Sequence, residues 1–72
     1  MIQNRLAFGR KIRRARQEKG VGLRELARKV GIDYSNLSRI ERGKRPPPDL
    51  DVVVRVAEEL GIDRGTLLKL AG

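Results

Sequence analysis

The 72-residue chain has no cysteine and no histidine, and these two absences remove whole classes of chemistry. Without thiols there are no disulfides and no thiolate nucleophile; without imidazole as well, the usual zinc donor sets and histidine acid–base catalysis are gone. No other constellation of catalytic side chains stands out, so the sequence has no candidate catalytic, cofactor-binding or metal-binding residue and is not expected to be an enzyme. Tryptophan is also missing, and the aromatics reduce to Phe8 and Tyr34, too few for the stacking platforms of single-strand and many RNA binders. No apolar run is long enough for a signal-peptide core or a membrane span, and the chain reads as soluble and cytoplasmic with no membrane partner. At this length residues 1–72 are expected to form one small domain around one core.

What the chain has in quantity is positive charge. Seventeen Lys and Arg stand against nine Asp and Glu, a formal +8, and they are unevenly placed. Residues 1–45 carry fourteen cations against Glu18, Glu25, Asp33 and Glu41, a net +10; residues 46–72 carry three cations against five carboxylates, a net −2. A one-sided field of this kind favours a polyanion, because each neutralised phosphate releases condensed counterions. Acidic membranes or RNA would satisfy the same charge, so the choice rests on motif geometry.

That geometry lies in residues 23–43, LRELARKVGIDYSNLSRIERG. Leu23, Leu26, Ala27 and Val30 recur at the one-face spacing of an amphipathic helix, and Gly31 then supplies a residue that tolerates a left-handed cap. Asp33 is a good N-cap for a second helix whose inward face is Leu37 and Ile40, closing at Gly43. Two helices of about eight to ten residues with a turn of roughly four match a helix-turn-helix, which lays its second helix in the major groove of DNA. At about 100° per residue, Ser35, Ser38, Arg39 and Arg42 point away from Leu37 and Ile40, with Tyr34 and Asn36 flanking. Small hydroxyls, an amide, a phenol and two guanidiniums suit base edges and phosphates, although an ordinary solvated face has a similar composition.

The remaining segments also read as helices. Asn4 can cap a helix over 5–19 with Phe8, Ile12 and Ala15 inward, ended by Gly20. Gly9 inside it disfavours the helix by roughly 1 kcal/mol relative to Ala, which implies either a helix approaching closely or a frayed first turn. Arg10, Lys11, Arg13, Arg14 and Arg16 crowd its other faces, and at least one is expected to meet a phosphate. Pro46, Pro47 and Pro48 forbid a continuing helix and make a rigid connector, with Lys44 and Arg45 ahead of it placed to reach a backbone phosphate or a minor groove. Asp49 is expected to cap a helix with Leu50, Val53, Val56, Ala57 and Leu60 inward, ending at Gly61. The run VVVRV has strand composition, but no second strand exists to pair with it. Asp63 caps a last helix, 64–70, with Leu67 inward.

Taken together, FGRKIRRAR (8–16), LRELARKVG (23–31), LSRIERGKRP (37–46) and LDVVVRVAEELGID (50–63) resemble the phage-repressor and Cro-like, or lambda-repressor-like, helix-turn-helix family over Phe8 to Leu68. The resemblance implies an all-α, compact five-helix DNA-binding domain whose recognition helix is Tyr34 to Arg42. Tyr34, Ser35, Asn36, Ser38 and Arg39 fall where members meet base edges or phosphates, and Arg16 and Glu41 where members place an ion pair tying the first helix to the recognition helix. The chain departs from the family at Gly22 and Leu23, where Ser or Thr and then a phosphate-contacting Gln are common. Arg24, or the backbone N–H groups at that helix start, would take over the contact. Asp33 stands where Ser is frequent, and its charge near DNA is a cost.

These readings converge on a sequence-specific double-stranded DNA-binding transcriptional regulator, a repressor or autoregulator. DNA contacts are assigned to Arg24, Tyr34, Ser35, Asn36, Ser38, Arg39, Arg42, Lys44 and Arg45. A homodimer on a two-fold operator is expected, because one recognition helix spans only a few base pairs, and the less charged stretch 52–71 is the expected self-association surface, with Val54, Leu68 and Leu70 off the inward stripes. Two alternatives stay open: an antitoxin and autorepressor that also binds a toxin protein, and a protein-binding adaptor on the same fold. The first calls for a partner-binding tail, which the few residues after the last helix do not offer; the second calls for an apolar recognition surface in place of the polar face of Tyr34 to Arg42.

Overall fold

The apolar spacings become five helices: α1 (Arg5–Glu18), α2 (Leu23–Val30), α3 (Tyr34–Glu41), α4 (Leu50–Leu60) and α5 (Arg64–Ala71). The computed structural model describes residues 4–72, and no strand occurs among the described residues. Residues Val52 to Val56 lie within α4, so tertiary burial overrides their strand composition. Local chemistry sets most helix ends. The Asn4 side chain accepts a 3.2 Å hydrogen bond from the Ala7 N–H, and the Asp63 carboxylate accepts one of 2.9 Å from Thr66 N–H. Gly31 and Gly61 end α2 and α4 at φ 80° and 68°, the left-handed conformation that costs glycine nothing.

The core draws on every helix. Phe8 and Ile12 enter from α1, Leu26 and Val30 from α2, and Leu37 and Ile40 from α3. Val53, Val56 and Leu60 of α4 and Leu67 of α5 close it from the other side. At about 1.5 to 3 kcal/mol for each fully buried side chain of this size, burial is the main force holding the helices together. Helix α3 packs on α1 and α2, while α5 packs on α1 and α4.

Four expectations change. Leu50, assigned inward, is 67% exposed. It begins α4, a full turn before Val53 and about 70° from the centre of the stripe formed by Val53, Val56, Ala57 and Leu60, so it overshoots the core. Asp49 occupies the N-cap of α4 but makes no side-chain capping bond. Leu68 and Leu70, expected off the inward stripe, are half-buried against the core, because α5 packs on two helices and is covered over more than one face. Ala15 and Leu23, assigned inward, are only half-buried at its margin.

Gly9 answers the question that the sequence left open. It is buried under the C-terminal end of α3, and a Cβ at this position would stand 2.7 Å from the carbonyl carbon of Glu41 and still nearer the carbonyl oxygens of Ile40 and Glu41. Backbone cannot move aside as a flexible side chain can. The absent side chain is what lets α1 and α3 touch.

Candidate nucleic-acid interface

Helix α3 is held from behind and open in front. Leu37, Ile40 and Glu41 are buried, whereas Arg39 is exposed and lies about 160° round the helix from Glu41. Tyr34 is exposed at the start of α3; Ser35, Asn36 and Ser38 are half-buried along it. Arg42 ends the helix exposed, with its Nε donating to the Ser38 carbonyl at 3.4 Å, and Lys44 and Arg45 are exposed in the connector that follows.

The polar anchor behind α3 joins it to α1. Arg16 Nε donates to Glu41 Oε2 at 2.8 Å and its Nη2 to Glu41 Oε1 at 3.0 Å, a two-pronged pair between helices far apart in sequence. Its third donor, Nη1, reaches the Val21 carbonyl at 3.2 Å and ties the α1–α2 loop to the same point. The carboxylate raises the guanidinium's pKa further, with burial opposing. Both oxygens of a buried carboxylate are thereby satisfied, which a single surface contact would not achieve.

At the other end of α3, the guanidinium of Arg24 lies 4.4 Å from the centroid of the Tyr34 ring. The stack joins the first turn of α2 to the first turn of α3 and is worth about 0.5 to 1 kcal/mol when exposed. Neither helix periodicity nor motif spacing signals this contact, because it crosses the turn between helices whose relative angle only the fold sets. Gly22, the N-cap of α2, has no side chain to cap with, and among the described residues no side chain accepts from the leading N–H groups of α2, beside Arg24.

Asp33 is engaged within its own turn. Its carboxylate accepts the Ser35 N–H at 3.1 Å and a hydrogen bond from the Ser35 hydroxyl. The hydroxyl, more than the backbone amides of Asn36 and Ser35 or the nearby charge of Arg39, holds its pKa below the usual carboxylate range. The carboxylate is therefore anionic at neutral pH, and both polar hydrogens of Ser35, on its amide and its hydroxyl, are already committed to it. Glycine at position 9 is the other contributor that residue-by-residue reading did not assign, since its role is to seat α3 rather than to touch a ligand.

The resulting surface is a row of polar side chains along α3, with Arg24 at one end and Arg42, Lys44 and Arg45 at the other. Among the described residues, no group of carboxylates is placed to hold a metal ion, and no helix is long and apolar enough to cross a membrane.

Comparison with known proteins gives this surface a lineage. The family profile described as a helix-turn-helix domain matches residues 9–72. The HTH-type transcriptional regulator SinR of Bacillus subtilis is 40% identical over 61 residues, covering 85% of this chain and 55% of SinR. The HTH-type transcriptional repressor RghR, also of Bacillus subtilis, is 35% identical over 66 residues, covering 92% of this chain and 49% of RghR. The chain thus spans about half the length of the curated relatives it matches. Among solved structures, the clp gene regulator ClgR from Corynebacterium glutamicum matches with a TM-score of 0.79 at 34% identity, over 93% of this chain and 70% of ClgR. SinR in complex with DNA matches with a TM-score of 0.75 at 39% identity, over 85% of this chain and 97% of that one. SinR in a complex with the SinI protein matches with a TM-score of 0.76 at 39% identity, over 85% of this chain and 59% of that one. This chain belongs to the helix-turn-helix domain family, of the lambda-repressor-like type, among whose members are the DNA-binding transcription regulators it matches.

Proposed function

We propose that this chain is a sequence-specific double-stranded DNA-binding transcriptional regulator, a repressor or autoregulator, acting in the cytoplasm at the nucleoid. The observation that carries the reading is α3, anchored through Glu41 and buried through Leu37 and Ile40 while its opposite face stays polar and unobstructed. Arg39 reads a base edge, Asn36 and Ser38 hydrogen-bond bases or phosphates, Ser35 accepts from a base donor through its hydroxyl oxygen, and Tyr34 with its stacked Arg24 lies along the groove wall. Arg42, Lys44 and Arg45 neutralise backbone phosphates. The likeness to SinR solved with DNA supports the same docking.

Two copies binding a two-fold operator would bring two such helices about 34 Å apart and supply the affinity that one lacks. Val54, Leu68 and Leu70 are half-buried, so each has only part of its apolar surface left for a partner copy. The second reading, an antitoxin and autorepressor that also binds a toxin protein, draws support for its protein-binding half, though not for the nature of the partner, from the SinR–SinI complex among its structural neighbours.

Selection of bound duplexes from a random pool tests the main reading, and failure to enrich any sequence would overturn it. On the selected site Arg39→Ala is expected to cost about 1 to 3 kcal/mol and relax the preference at one base pair. An equal loss on random duplex would make Arg39 a phosphate contact instead. Sedimentation with and without a palindromic site tests the dimer. Independent binding to half-sites would end it, and a dimer unaffected by Leu68→Glu would move its interface elsewhere.

A further inference from the structure

Helix α1 has a second outer face that the reading of DNA does not use. Between α1 and α5 runs an open groove of about 440 Å³, with Ala7 and Leu70 in its lining and Arg10, Lys11, Arg13 and Arg14 around them. None of these four cations makes an ion pair or a side-chain hydrogen bond among the described residues. Gly9 and Arg16 mark the side of α1 that meets α3; Ala7, Lys11 and Arg14 stand about 140 to 160° round the helix from Gly9, Arg10 about 100°, and Arg13 about 40°, at the edge nearest α3. Arg39 in turn points away from α1. A duplex lying on the Arg39 side of α3 therefore leaves the Ala7, Lys11 and Arg14 side of the groove uncovered.

The same chain carries a complementary feature. Leu50 is 67% exposed at the first position of α4, and Asp49 and Asp51 on either side of it are exposed too. The Asp49 side chain makes no capping bond, and neither carboxylate has an ion pair among the described residues. An unburied leucine between two free carboxylates matches, in kind and in sign, an apolar floor between free cations.

We propose that the α1–α5 groove receives the start of α4 from a second copy of this chain, with Leu50 on Ala7 and Leu70, and with Asp49 and Asp51 among Arg10, Lys11, Arg13 and Arg14. The occupant is a second copy because each copy carries both halves of the contact; the contact is head-to-tail, so a pair completes one groove with one α4 start and leaves one of each open to further copies. The overall charge of +8 opposes the approach of copies, so the attraction is local, between the carboxylates of Asp49 and Asp51 and the cations of the groove. This contact goes beyond the two-fold assembly proposed above: it joins α1 to α4 through exposed charges, so it is weak and screened by salt. Its effect is to hold neighbouring copies together on DNA, where local concentration is high.

Sedimentation equilibrium of the intact chain without DNA, at about 20 mM and about 300 mM salt, is the test, since the Debye length shortens several-fold over that range. The wild type is expected to gain mass at low salt. Arg10→Glu/Arg14→Glu and Asp49→Lys/Asp51→Lys should each weaken that association about tenfold, from several exposed pairs lost together, and mixing the two variants should restore it. Leu50→Ser, which keeps both carboxylates and the Asp49 N-cap, should weaken it as well and stands in if the α4 reversal disturbs folding by circular dichroism. A wild-type mass that ignores salt, or reversals that leave the low-salt mass unchanged, would overturn the proposal. A groove reversal that lowers DNA affinity with no change in mass would make the groove a phosphate contact and overturn it too. If only Leu68→Glu dissociates the protein, the two-fold reading stands and this one falls.

Discussion

Arg16 reaches from α1 to Glu41 on α3 through two hydrogen bonds, between side chains that are 14% and 5% exposed, whereas Arg64 meets Glu58 at the α4–α5 corner by a 3.3 Å contact between side chains 62% and 59% exposed. The chemistry is the same and the surroundings are not. At the corner, water competes with either partner and the helices are held by Val53, Val56, Leu60 and Leu67 underneath. Between α1 and α3, the carboxylate lies where water does not reach it and depends on one guanidinium. A polar contact of that kind contributes little as a pair yet is costly to halve. Helix α3 is thus positioned by a contact that tolerates no partial loss, while the C-terminal helices are positioned by burial that degrades gradually.

The largest expected effect comes from breaking the inner pair. Arg16→Met leaves Glu41 buried without a partner and is expected to cost about 3 to 5 kcal/mol, a large share of the roughly 5 to 15 kcal/mol that stabilises a whole domain. Arg16→Met/Glu41→Leu should recover much of that loss. Urea unfolding of the two single variants and the double closes the cycle, and additive losses would show that the helices do not depend on the pair.

The next effect tests the backbone contact beside it. Gly9→Ala gains roughly 1 kcal/mol of helix propensity in isolation, yet the new methyl meets carbonyl groups that cannot yield. A net loss of about 1 to 3 kcal/mol is expected. A stabilised variant would mean that α1 and α3 have slack between them. The smallest effect belongs to the outer pair: Arg64→Ala and Glu58→Ala should each change stability by less than about 1 kcal/mol in thermal or urea unfolding. A loss comparable to that of Arg16→Met would erase the contrast.

Much of this arrangement is legible in the chain itself. The spacings of Leu26, Ala27 and Val30, and of Leu37 and Ile40, place two helices and their inward faces without reference to anything else, because amphipathic periodicity is local. Asn4, Asp33 and Asp63 mark helix starts for the same reason. Leu50 misleads because periodicity does not say where along its axis a helix leaves the core. Leu68 and Leu70 mislead because a helix packed on two neighbours has no single stripe. Gly9 poses its question in the sequence, but only the distance to the α3 carbonyls answers it. The stack of Arg24 on Tyr34 could not be read at all, since it depends on the angle between two helices and on side-chain rotamers at their tips. Of the proposed site, then, the members of the α3 face follow from spacing, and their support follows from tertiary geometry.

The separation of α3 into a seated side and an open side makes it two texts written on one helix. Leu37, Ile40 and Glu41 are addressed to the rest of the chain, and Ser35, Asn36 and Arg39 are not required by any helix packed behind them. On the proposed reading, substitutions in the second set change what the open side contacts while the seated side, and the scaffold with it, is left in place.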